Sequence, residues 1–352
     1  MRKRKLLLYT IFLLLYLLGF SRELDKELIF QPKWVVHFPE VDNTLENTPQ
    51  EDEYFDFHLG DIFGYIYHSG KIGFMGRVFF NVEMLEGMFV NYSNVSENLI
   101  FKDTQGKILM NIETPGYPVL RDDRIFVIEP DRTGISEYDQ SGSLLWKREY
   151  GTLITCMDTN DEDLLLGTLD GRIQLLGSDG SIRFQHIENE SLYNVIYGCA
   201  INEDGSSLAV VSGVKPQRME LFQKGKPGYN RSFIKTLDTD VRRNMYIEFS
   251  SDGRWVFLEG DRGFYIVDSL RKGIDFIELS GNLKKMISEK KYGIHYLLFG
   301  NEIEERLVVF KPPGKILMDL PLEGEEVFLH SEDGKLFLGL NQRIMRIDVR
   351  KE

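Results

Sequence analysis

Short apolar runs alternate with polar corners along almost the whole chain, and the corners are punctuated by glycine at Gly70, Gly106, Gly142, Gly180, Gly225, Gly273 and Gly314. The intervals are 36, 36, 38, 45, 48 and 41 residues, and a period in that range marks a repeat architecture. The copies also agree in sequence. IFKDTQGKILM at Ile100 to Met110 and VFKPPGKILM at Val309 to Met318 share a strand, a corner and a second strand, and YHSGKIGFM at Tyr67 to Met75 is a third version. Four places after the glycine stands a bulky residue: Phe74, Met110, Trp146, Phe184 or Met318. A second series of corners runs in phase with the first. Asp204-Gly205, Asp252-Gly253 and Asp333-Gly334 each lie between apolar runs, a strong hairpin signal. RDDRIFVI, DTNDEDLLLGT and SEKKYGIHYLLF supply weaker copies.

Each period therefore holds four short antiparallel strands, which describes the blade of an all-β β-propeller. Inner strands are expected to start near Phe79, Tyr117, Leu153, Val195, Met245, Leu283 and Glu326. That count favours seven blades. The last one, Glu326 to Val349, lacks an outer strand, which Lys71 to Val78 could supply to tie the two ends of the chain together and remove an open edge. In the alternative, Tyr54 to Leu59 and Phe63 to Tyr67 join Trp34 to Phe38 in an eighth blade.

Met1 to Lys5 carries four cations and precedes an uncharged apolar run, Leu6 to Phe20. At about 1.5 Å per residue this N-terminal hydrophobic helix would span roughly 22 Å, short of a hydrocarbon core of about 30 Å. It reads as an export signal that is either retained as a membrane anchor, the preferred reading, or cleaved near Gly19-Phe20-Ser21. No cysteine follows it, so there is no lipoprotein box. Basic residues ahead of the helix place residues 21 to 352 outside the cytoplasm, in the periplasm or at the cell surface. Residues 1–20 are thus the signal or signal-anchor, 21–53 a juxtamembrane linker with one strand at Trp34 to Phe38, and 54–352 the propeller.

Composition narrows the functions. The chain carries 42 basic and 55 acidic side chains; without residues 1–20 the formal charge is −17, which disfavours binding to phosphate backbones. Arg242-Arg243 and Lys284-Lys285 read as solvated loop residues. Cys156 and Cys199 are one period apart, so inner-strand geometry should separate them by the distance between blades and leave two buried free thiols. Asp158-Thr-Asn160-Asp-Glu-Asp163 begins like a calcium loop but lacks its glycine and final glutamate, and as a turn it needs no metal. His37, His58, His68, His186, His295 and His330 share no repeat phase, so no nucleophilic or His-rich metal set can be assembled. The sequence therefore nominates no catalytic, cofactor-binding or metal-ligating residue, and no cofactor. Asn-x-Ser triplets at Asn91, Asn94, Asn189 and Asn230 matter only in a glycosylating pathway.

EYDQSGSLLW at Glu137 to Trp146 resembles the repeat of pyrroloquinoline-quinone-type propellers, with Asp139, Gly142 and Trp146 in the matching places, and LLLGTLDGRIQLLGSDGSIRF continues the likeness. INEDGSSLAVVSG and FSSDGRWVFLEG are similar to generic WD-repeat-like blades. The resemblance covers about residues 60 to 350 and implies a fold shared by many functions. The vicinal cysteines and stacked tryptophan of quinone-dependent dehydrogenases are missing, as are periodic Gly-His and Trp-Asp pairs. The propeller lipoprotein of the outer-membrane barrel-assembly machinery, a non-enzymatic scaffold, is the other exported likeness. The expectation is a membrane-tethered, extracytoplasmic scaffold or assembly factor that binds protein or peptide partners on the propeller face, with a loop-rich contact region at Val214 to Tyr229. It touches the membrane through Leu6 to Phe20 and binds no nucleic acid. A propeller hydrolase, lyase or oxidoreductase working at the channel mouth is the alternative.

Overall fold

The Asp-Gly corners close hairpins between the first and second strands of successive sheets. At Asp333-Gly334 both residues have positive φ, 49° and 77°, the backbone of a two-residue turn whose twist matches that of its flanking strands. The glycine corners close the hairpins farther from the axis. Gly180 has a φ of +71°, and a Cβ there would stand 2.7 Å from the ring of Trp146, so the glycine both makes the turn and lets the neighbouring sheet dock.

The computed structural model describes residues 27–38, 53–85, 87–93, 95–121, 123–301, 304–324 and 326–351. They form eight sheets, and thus eight blades rather than seven. Blade 1 is three-stranded, β2 (Tyr54–Leu59), β3 (Ile62–Tyr67) and β4 (Ile72–Arg77). Blades 2 to 7 are four-stranded meanders with innermost strands β5 (Asn81–Leu85), β9 (Tyr117–Arg121), β13 (Ile154–Thr159), β17 (Tyr193–Ile201), β21 (Ile247–Phe249) and β25 (Asn282–Glu289). Blade 8 contains β29 (Val327–Glu332), β30 (Lys335–Leu340), β31 (Arg343–Lys351) and, outermost, β1 (Leu28–His37) from the other end of the chain. The inner strands start within two residues of the sites expected from the repeat.

Ring closure does join the two ends, but with a different strand. Lys71 to Val78 does not complete the last blade, because β4 pairs with β3. The place on β31 belongs to β1, in an antiparallel ladder from Leu28 opposite Lys351 to His37 opposite Arg343. A bulge between Pro32 and Trp34 absorbs the proline, which an edge strand tolerates because no donor is needed on its outer side. The stretch expected as a linker, 21–53, therefore contributes a structural strand. The expected helix at Leu6 to Phe20 lies outside the described residues, and among these no helix is long and apolar enough to cross a membrane.

Burial follows radius. Second strands are covered on both faces by adjacent blades, and β14 (Asp163–Thr168) is buried at every position, as expected for a strand sandwiched between sheets. Outer strands alternate, as in β12 (Leu144–Glu149). The core is a series of inter-blade layers. One joins Leu165, Ile173 and Leu175 of blade 4 to Ile196, Leu208 and Val210 of blade 5, each fully buried aliphatic side chain contributing about 2 kcal/mol relative to exposure.

Candidate functional site

Inner strands turn alternate side chains toward the axis, and an ionisable residue recurs there: Asp56 on β2, Glu83 on β5, Arg121 on β9, Asp158 on β13, Glu248 on β21 and Lys285 on β25; His330 on β29 instead stacks on Phe55 at 4.9 Å, in the layer between blades 8 and 1. Arg121 of blade 3 acts electrostatically on Asp56 of blade 1, Glu248 of blade 6 and Lys285 of blade 7. No inter-blade layer connects blade 3 to blade 1, 6 or 7, so the space Arg121 shares with those three groups is the axial channel. Within it Arg121 Nη1 lies 3.8 Å from Glu83 Oε2. Lys285 donates to the Leu329 carbonyl at 2.9 Å, and Asp158 Oδ2 accepts from the Ile201 N–H at 2.8 Å.

These groups touch channel water while being walled in by protein, and their affinities for protons shift accordingly. Burial, then the negative charge of Asp158, pushes Glu248 up to about 8, against the pull of Lys285 and Arg121. Burial also raises Asp56 and Glu83 and lowers Lys285. His330 is lowered to about 4 by burial, with Lys285 and His68 adding to the effect. The Tyr246 hydroxyl donates to Glu248 and accepts from the Met286 N–H at 2.8 Å. One end of the channel widens into a cavity of about 700 Å³ lined by Arg121, Asp158, Arg243, Tyr246, Glu259 and Lys284 among others. Arg243 pairs with Glu259, and Lys284 with Glu305.

A second concavity, of about 460 Å³, lies between blades 1 and 2. Phe63, Phe74, Met75, Phe89 and Ile100 line it, Arg77 and Lys102 edge it, and none of its lining residues is acidic. At its lip Phe79 and Phe80 are 78% and 73% exposed. Asn91 fixes that lip, donating to the Arg77 carbonyl at 2.7 Å and accepting from the Phe79 N–H at 3.1 Å. The exposed Phe79 ring thus stands on an anchored backbone.

The structure redistributes the residues singled out in the sequence. Asp139 accepts the N–H groups of Ser141 and Ser143 and shapes a turn, while the Trp146 indole donates to Glu137 at 2.7 Å; both are structural, as the resemblance implies. The oxygens of Asp158 to Asp163 diverge: Asp158 serves β17, Asn160 Oδ1 accepts from the Glu162 and Asp163 N–H groups, and Asp163 pairs with Arg183 at 2.6 Å. Cys156 and Cys199 are free and buried, as expected, one on each of two adjacent blades; their thiols nonetheless meet across the layer, and burial, with that contact adding to it, raises Cys199. A sequence separation of one period places them on facing sides of a single inter-blade layer. Val214 to Tyr229 is mostly strand, with Met219, Leu221 and Phe222 in the core, and so is not a contact loop. Arg243, Lys284 and Lys285 belong to the mouth and channel instead of to solvated loops. Asn94 lies outside the described residues. Among these, the side chains that could hold a metal are His186, Glu188 and Glu220, whose ligand atoms lie within 4.8 Å of one another.

A family model described as beta-propeller protein matches residues 2–352. An uncharacterized protein of Treponema pallidum (strain Nichols) is 24% identical over 293 residues, 83% of this chain and 78% of that protein. The crystal structure of BamB from Moraxella catarrhalis superposes with a TM-score of 0.63 at 14% identity, over 91% of this chain and all of that one. The dihydro-heme d1 dehydrogenase NirN gives a TM-score of 0.54 at 15% identity over 75% of this chain and 60% of its own. At such identities the two structural likenesses speak to the fold alone.

Proposed function

The chain belongs to the β-propeller proteins, and from that premise we propose that it is a protein-interaction scaffold or assembly factor without catalytic activity, tethered to a membrane through Leu6 to Phe20 with its propeller outside the cytoplasm. The observation that carries the reading is the groove between blades 1 and 2. An apolar cleft with the anchored, exposed Phe79 at its lip and the exposed Phe80 next to it in sequence is a surface that water leaves unsatisfied and a partner covers. Its cationic edge, Arg77 and Lys102, in a chain of formal charge −13, selects an extended partner segment that combines apolar and acidic side chains.

A photo-crosslinking side chain at Phe79, and at Leu144 on the outer strand of blade 3 as control, tests this in the cells that make the protein. A discrete adduct at position 79 alone, abolished by the Arg77→Glu and Lys102→Glu pair, is expected; equal labelling at both positions, or none, overturns it. Protease accessibility of the propeller in cells with the outer barrier opened, together with resistance of the protein to alkaline extraction, tests the tether and its orientation.

The channel favours a second reading. A cavity of about 700 Å³ lined by opposed charges, with Glu248 beside its wall residue Tyr246 pushed up to about 8, has the attributes of a small-molecule or catalytic site. A polar metabolite that raises the melting temperature of the wild type but not of an Arg121→Ala variant would support it.

A further inference from the structure

Toward the outer side of the ring, blades 4 and 5 enclose a group of side chains that neither reading uses. His186 lies on β16 (Ile182–Ile187), and Glu188 two places on, so strand alternation directs both to one face. Glu220 meets them from β19 (Arg218–Gly225) and is fully buried. Glu188 is held in place: Oε1 accepts from the Asn189 and Glu190 N–H groups at 3.0 and 2.7 Å, and the Ser212 hydroxyl of β18 (Ser207–Val214) is 3.5 Å from Oε2. Glu220 Oε2 accepts from Arg231, on β20 (Gly228–Thr236), at 3.1 Å, whereas no N–H or hydroxyl meets Oε1 and the carboxyl group faces that of Glu188. Two carboxyl groups that face each other in the interior are costly unless a proton or a metal ion lies between them.

We propose that this pocket binds a divalent transition-metal ion of the zinc(II) class through His186, Glu188 and Glu220. One imidazole and two carboxylates suit such an ion better than calcium or magnesium, which prefer all-oxygen shells. The charges facing the pocket come from three elements: Glu188 and Glu190 after β16, Arg218 and Glu220 on β19, and Arg231 on β20. Three carboxylates against two guanidinium groups leave one negative charge over. The ligand atoms of His186, Glu188 and Glu220 lie within 4.8 Å of one another, close enough for one cation to meet that charge while bound to all three. Both arginines also contact Glu190, at 2.8 Å from Arg218 and 2.9 Å from Arg231, so each keeps an ion-pair partner when Glu188 and Glu220 turn to the metal. His186 is only half-buried, which leaves the ion a way in.

The whole chain, stripped with chelator, is titrated with zinc chloride by calorimetry and with cobalt(II) by absorption. One equivalent should bind, with a cobalt spectrum of nitrogen and oxygen coordination. His186→Ala and Glu220→Gln should each weaken binding by at least ~10-fold, the loss seen when even an outer partner of a metal ligand is removed, while the Cys156→Ser, Cys199→Ser double variant binds as before. Failure of the wild type to take up either ion, binding indifferent to both ligand substitutions, or a thiolate charge-transfer band overturns the assignment. If a ligand variant does not fold, the wild-type cobalt spectrum decides.

Discussion

Trp34, on the first strand of the sheet ladder, donates its indole N–H to the His68 carbonyl at 3.0 Å, so the strand that closes blade 8 is also fastened to blade 1. Its ring packs beside Phe337 at a centroid distance of 6.0 Å and against Gly70. One side chain thereby holds three parts of the closure: the N-terminal strand, the last blade and the first.

Replacing Trp34 by alanine should destabilise the whole ring, not only its edge. A half-buried tryptophan with a hydrogen bond is worth about 2–3 kcal/mol here, somewhat below the cost of truncating a fully buried one. Urea unfolding should show a lower midpoint with a single transition. A separate early transition of blade 8 would argue that closure is not coupled to the rest.

Arg124 and Glu137 form a buried two-point ion pair, Nε to Oε1 at 2.8 Å and Nη2 to Oε2 at 2.9 Å, and Glu137 also accepts from Trp146. Arg124→Met should cost about 3–5 kcal/mol, because it strands a buried carboxylate. Adding Glu137→Leu should recover part of the loss. A double variant no more stable than the single one, by chemical denaturation, would show that the pair's value lies elsewhere.

Two buried groups make stability depend on pH with opposite signs. Glu248 binds its proton more tightly when folded, about 8 against 4.5, so its contribution is complete below 4.5 and is lost as pH rises toward 8. His295, lowered by burial from 6.5 to about 4, is neutral when folded, so its contribution is complete above 6.5 and is lost as pH falls toward 4. Each proton sets a slope of at most about 1.4 kcal/mol per pH unit. Glu248→Gln should flatten the alkaline limb of a plot of unfolding free energy against pH, and His295→Gln the acid limb. Parallel curves for wild type and variant would refute the corresponding assignment.

Native protein should react slowly with a thiol reagent, and protein unfolded without reductant should release two thiols from Cys156 and Cys199. Zero thiols would mean that the contacting pair oxidises to a disulfide in its compartment.

The repeat was legible because turns are local: Asp-Gly and glycine corners state their geometry within four residues, wherever the strands lie. Closure was harder. Pro32 and Lys33 break the alternation of β1, and its surroundings have the composition of a linker, so only the partner strand reveals it as sheet. The count of seven followed from giving β4 to β31. The channel left a trace, a polar residue at similar depth on inner strands at Asp56, Glu83, Arg121, Asp158, Glu248 and Lys285, but convergence on an axis belongs to the ring and to no single repeat. His186 was set aside for lacking a repeat phase. His-x-Glu on one strand face was the available signal, and Glu220, from a neighbouring blade, could not be joined to it without the fold.

Leu28 pairs with Lys351, so the earliest of the described strands to be synthesised is among the last to find its mate. Throughout elongation β1 is a sticky ribbon with no sheet to join, and the seven other blades must wait in an unclosed arc. Contacts this distant in sequence make assembly slow. The waiting ribbon is also where a chaperone, or a second copy of the chain exchanging its own first strand, would compete with the native ending.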